Sequence, residues 1–76
     1  MENINYGVQP LDELIQSLGL TNEDLVNNSV RQLTFKQLQK GRKGRRISAN
    51  IKSKIAQSLN ACVKERVFSE KELFNY

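Results

Sequence analysis

The chain contains no histidine, one cysteine, one proline and no long apolar run. Without histidine there is no histidine-based catalytic triad, and a lone cysteine leaves a zinc site without its usual ligands. That cysteine has no partner for an internal disulfide, so oxidation does not staple the domain and a reducing cytoplasm is the expected compartment. No segment is long and apolar enough to span a bilayer, and the first twenty residues lack the basic start and apolar stretch of a secretion signal. A further absence is local. From Leu25 to Lys64 there is no aspartate or glutamate.

Ten cations occupy that acid-free block: Arg31, Lys36, Lys40, Arg42, Lys43, Arg45, Arg46, Lys52, Lys54 and Lys64. Half of them lie between Lys40 and Arg46. Residues 1–24 hold five acids and no base, so the net charge of +4 conceals a strongly positive middle behind an acidic start. Such a field suits a polyanion, and nucleic acid is the commonest one. A solvated surface usually mixes both signs, which sets this block apart from an ordinary charged loop.

At 76 residues the chain makes one small domain with a limited core. Residues 1–9 show no period and read as a loose leader. Pro10 suits a first helical position, and Leu11, Leu14, Ile15 and Leu18 follow at the spacing of one buried helix face. Gly19 then supplies a left-handed stop, which predicts a helix over 10–18. Thr21-Asn22-Glu23-Asp24 is a capping box opening a helix over 22–29, with Leu25, Val26 and Ser29 or Val30 turned inward. Thr34-Phe35-Lys36-Gln37 is a second box, opening a helix over 35–41 with Phe35 and Leu38 on its core face. Gly41 and Gly44 are expected to break that helix. Ser48 caps a helix over 49–62, whose Ile51, Ile55, Leu59 and Val63 recur every fourth residue, with Cys62 as a small apolar group beside them. Ser69-Glu70-Lys71-Glu72 opens a last helix over 70–75, with Phe68 placed to staple against Leu73. The fold expected is all-α, a compact bundle of about five short helices over 10–76.

The order of these pieces resembles the lambda-repressor-like helix-turn-helix family of the phage repressor and Cro type. The resemblance rests on Gly19-Leu20-Thr21-Asn22-Glu23-Asp24-Leu25, on Leu33-Thr34 opening a short helix, on Lys54-Ile55-Ala56-Gln57-Ser58-Leu59-Asn60, and on Ser69-Glu70-Lys71-Glu72-Leu73-Phe74. It covers residues 10–75. Two departures stand out. The stretch between Leu20 and Leu33 is longer by about two residues than that family's turn region, and the turn's usual small residue is replaced by Asn28, Ser29 and Val30.

The resemblance implies that the helix beginning at Phe35 enters the major groove of double-stranded DNA. Thr34, Lys36, Gln37, Gln39 and Lys40 would then reach base edges, glutamine suiting adenine and lysine suiting guanine. It also implies phosphate contacts at two helix starts, Thr21 with Asn22 and Ser48 with Asn50. Arg42, Lys43, Arg45 and Arg46 would add charge along the strand, with Gly41 and Gly44 letting the backbone follow the phosphates. One such unit reads few base pairs, so a homodimer through Val67, Phe68, Leu73, Phe74 and Tyr76 is expected, unless those residues only close the monomer's core.

Two other functions fit the same residues: RNA binding through the basic segment, and a protein-interaction module or antitoxin-like adaptor on the same fold. No acid pair, metal cluster or nucleophile–base spacing is present, so neither an enzyme nor a cofactor is expected.

Overall fold

The computed structural model of the chain describes residues 6–76 and contains five helices: α1 (Pro10–Ser17), α2 (Asn22–Asn27), α3 (Phe35–Lys43), α4 (Ala49–Cys62) and α5 (Glu70–Leu73). Among the described residues there is no strand. α4 is the central element and touches α2, α3 and α5, while α1 closes over α3 and α5. The fold is therefore the all-α bundle expected.

Local chemistry sets the helix ends. Pro10 opens α1, and Gly19 follows it at φ 70°, with the Leu20 amide reaching back to the Ile15 carbonyl at 3.0 Å. α2, α3 and α5 each start with a capping box: Thr21 with Asp24, Thr34 with Gln37, and Ser69 with Glu72. The Ser48 hydroxyl accepts the Ile51 amide to open α4. Each box satisfies amides that the first helical turn leaves without partners.

Leu11 and Ile15 from α1, Leu25 from α2, Leu38 from α3 and Ile55, Ala56 and Leu59 from α4 form the core, together with Leu33, Ile47, Phe68, Leu73 and Phe74. Phe68, Leu73 and Phe74 are therefore buried within a single chain. Of the five residues named for a dimer surface, these three fill the core, Tyr76 is half-buried against it and Val67 is exposed.

α3 differs from its expected form. It runs through Gly41 to Lys43 and stops only at Gly44, which has φ +83°. Gly41 is buried mid-helix, where an added Cβ would lie 2.8 Å from the Ile55 side chain. Its missing side chain lets α3 pack tightly on α4, and this closeness offsets the poor helix propensity of glycine. Gly44 meets the chain's start, with a Cβ there falling 1.7 Å from the Gly7 carbonyl oxygen. The conformational freedom expected to serve phosphates serves internal packing instead.

Phe35 is 50% exposed, contrary to its expected place in the core. It stands about 60° round the helix from Leu38 and at the first helical position, so its side chain projects past the covered stretch. Leu18 and Val30 are also exposed, because α1 and α2 end before reaching them. The leader expected over 1–9 lies outside the described residues for 1–5. Its remainder is tied down: the Tyr6 amide donates to the Gly44 carbonyl at 2.7 Å, and the Gln9 amide to the Arg42 carbonyl at 3.0 Å. The Gln9 side chain is buried, with Oε1 accepting the Asn75 amide at 2.7 Å and Nε2 donating to the Gly7 carbonyl at 2.9 Å.

Candidate nucleic-acid interface

The exposed side of α3 follows from its sequence. At 100° per residue, Leu38 and Gly41 define the buried stripe. Phe35, Gln39, Lys43, Lys36 and Lys40 follow one another round the opposite side, and all are exposed. The three lysines occupy about 60° of the circumference. Arg45 and Arg46 continue the exposed positive run beyond Gly44. Among the described residues, the ion pairs within 4 Å are Arg42 with Asp12 and Arg66 with Glu72, so none of these five exposed cations is neutralised. Three basic residues in the last turn also suit the negative end of the helix dipole, which gives them a structural role beside any binding one.

Thr34 and Gln37 are engaged with each other. The Thr34 hydroxyl accepts the Gln37 amide at 3.1 Å, and the Gln37 Oε1 accepts the Thr34 amide at 3.3 Å. Their reciprocal bonds fix the start of α3 and leave the Gln37 amide nitrogen as its outward group.

Arg42 does not join the exposed cations. Its Nε donates to Asp12 Oδ1 at 2.6 Å, and its side chain is only 16% exposed. Its Nη1 donates to Asn22 Oδ1, also at 2.6 Å. Asn22 in turn donates from Nδ2 to Gln39 Oε1 at 2.9 Å. A chain of polar contacts thus runs from α1 through Arg42 and the first residue of α2 to the exposed face of α3. Arg42, expected at a phosphate, is engaged within the fold, and Asn22 is turned toward α3. The sequence carried no signal of this, because Asp12 lies thirty positions before Arg42 and in another helix.

The two helix starts expected at phosphates differ electrically. α2 opens with Glu23 and Asp24, and the Asp24 carboxylate already accepts the Thr21 amide at 2.9 Å. An incoming phosphate would meet a carboxylate there. The first turn of α4 holds no acid. Ser48 is exposed, and Asn50 accepts from Arg31 Nη2 at 2.6 Å while Arg31 Nη1 donates to Ser53 at 2.8 Å. Arg31 therefore places its charge beside the start of α4.

The connection from α2 to α3 spans 28–34 and is longer than the three- or four-residue turn of a compact helix-turn-helix. Gln32 within it holds a left-handed φ of 59°. Two surface grooves flank α5, and neither is lined by residues of α3. Among the described residues no group of three potential ligands is placed to hold a metal ion, and no helix is long and apolar enough to cross a membrane. The Cys62 thiol is raised above its ordinary range by burial and then by the nearby Asp24 charge, which keeps it a poor nucleophile at neutral pH.

Comparison of the chain with protein-family models, with curated proteins and with solved structures gives no match.

Proposed function

We propose that this chain is a DNA-binding transcriptional regulator that lays the exposed face of α3 in the major groove. The observation that carries the reading is the unneutralised arc of Lys36, Lys40 and Lys43, continued by Arg45 and Arg46, on a helix whose opposite side is core. A helix of this kind fits the width of the B-form major groove, and the deep, narrow groove of A-form RNA excludes it.

In this reading Gln39, Lys36 and Lys40 face base edges, joined by the free amide nitrogen of Gln37. Lys43, Arg45 and Arg46 meet phosphates together with the acid-free start of α4 at Ser48. Arg42 organises the surface from behind. The reading assigns no interface to Phe68, Leu73 or Phe74, which belong to the core.

The test is a titration of a labelled random-sequence duplex at rising salt. Lys43, Arg45 and Arg46 each neutralising one phosphate give a log–log slope of about −2 to −3. Glutamate at both Arg45 and Arg46 should weaken all duplexes and flatten that slope. No retention of duplex at low salt, or retention that is indifferent to salt, refutes the reading. A structured RNA competitor at equal salt should displace the duplex poorly.

A second reading is favoured by one observation. Val30 and Phe35 are both exposed at or beside the long 28–34 connection. A protein-interaction module would use such apolar groups, and it gains support if duplex DNA is not bound.

A further inference from the structure

The chain of contacts behind Gln39 has a direction. Asp12 is an acceptor, and it fixes the Arg42 guanidinium, which has only donors to offer. Arg42 therefore demands an acceptor from Asn22, and Asn22 answers with Oδ1. With its oxygen committed, Asn22 has only its amide nitrogen to turn toward Gln39, so Gln39 must answer with Oε1. What remains outermost on Gln39 is its Nε2 amino group. An isolated surface glutamine flips freely and offers either end, whereas this one is held to a single orientation by an ion pair on its inner side.

Resting on the DNA reading above, we infer that Asp12, Arg42 and Asn22 are positioning residues that fix the base preference of Gln39. They orient its amide so that a donor leads. The ligand class is a purine presenting an acceptor, N7 of adenine or N7 and O6 of guanine, at one position of a duplex site. None of the three positioning residues needs to touch a base. Their effect reaches the DNA only through which end of Gln39 leads.

The variant that tests this is Asn22→Asp. Aspartate accepts from Arg42 as asparagine does, and its added negative charge suits the start of α2. It has no donor for Gln39, so Gln39 must turn its amino group inward and present Oε1. The probe is a pool of duplexes with randomised central bases, sorted by the wild-type protein and by the variant at low salt. The wild type is expected to enrich a purine at one position. Asn22→Asp should move the enrichment there to a base presenting a donor, cytosine N4 or adenine N6, by about tenfold. Asn22→Ala leaves Gln39 unheld and should flatten the preference at that position alone. This second variant keeps the inference testable if the aspartate protein does not fold. A merely structural clip would weaken all duplexes together and leave the enriched bases unchanged, and that result overturns the inference while the DNA reading survives. Failure of the wild type to retain any duplex overturns both.

Discussion

Tyr76 lies flat on Tyr6, with ring centroids 4.1 Å apart and planes 5° from parallel. The Tyr76 hydroxyl donates to the Arg45 carbonyl at 2.6 Å, and the Lys52 ammonium stands 3.9 Å from its ring centroid. The two flanks of the chain thus meet beside the turn that carries Arg45 and Arg46. Tyr76→Phe should cost about 1 kcal/mol in urea unfolding, the worth of one hydrogen bond. Tyr76→Ala should cost roughly 2 kcal/mol, since the ring contacts go as well. Desolvation, and then the neighbouring Tyr6, raise the Tyr76 hydroxyl above the ordinary tyrosine range. Its contribution is therefore complete below that range and is lost as pH rises through the elevated value. The wild type should lose stability over that alkaline interval, and Tyr76→Phe should not show this component.

The two ion pairs should differ in worth. Asp12 and Arg42 are 22% and 16% exposed, whereas Glu72 and Arg66 are 38% and 59% exposed. A double-mutant cycle to alanine should give a coupling of roughly 1.5–3 kcal/mol for the inner pair, which is charge-assisted and shared with Asn22. The outer pair, screened by solvent, should give a clearly smaller coupling. Equal couplings would show that the Arg42 contacts are not held in solution.

Acid should loosen the end of the chain at α5. The Ser69 backbone amide is the main cause that holds the Glu72 carboxyl below its ordinary range, and Arg66 adds to it. The stabilisation is present above the unfolded carboxylate pKa and disappears as pH falls through the lowered value. Amide exchange at the start of α5 should accelerate across that interval. In Glu72→Gln the same amides should exchange with a flatter dependence after correction for intrinsic rates.

Ser58 carries a buried hydroxyl with no partner among the described residues. Replacing it with alanine removes the unsatisfied group and installs a better helix former inside α4. Ser58→Ala should raise stability by about 0.5–1 kcal/mol in thermal or urea unfolding. A loss of stability would show that the hydroxyl has a bonding role.

What was readable in the sequence was local. The Thr21–Asp24, Thr34–Gln37 and Ser69–Glu72 boxes each lie within four residues, and each sets a helix start where expected. The α4 stripe of Ile55 and Leu59 was legible for the same reason, since one helical period puts both on one side. The candidate surface was readable as charge: the acid-free block marked Lys36, Lys40, Lys43, Arg45 and Arg46, and folding leaves them exposed. Arg42 looked identical to these in sequence, because its partner lies in another helix. Gln9 likewise gave no sign of burial, since its acceptor bonds Asn75 across nearly the whole chain. Phe35 failed for a geometric reason, as helical spacing identifies a side of α3 but not how far the neighbouring helices extend along it.

The contact between Gly44 and Gly7 leaves room for hydrogen and nothing larger. A methyl group at 44 would act as a wedge, driving residues 6–9 off the bundle and stripping the Gln9 amide of its companions. A saturation library at this site, scored for folding, should therefore return a single tolerated letter. Of the chain's four glycines, Gly44 is the one where an added Cβ would come nearest another atom, and that atom belongs to a second glycine.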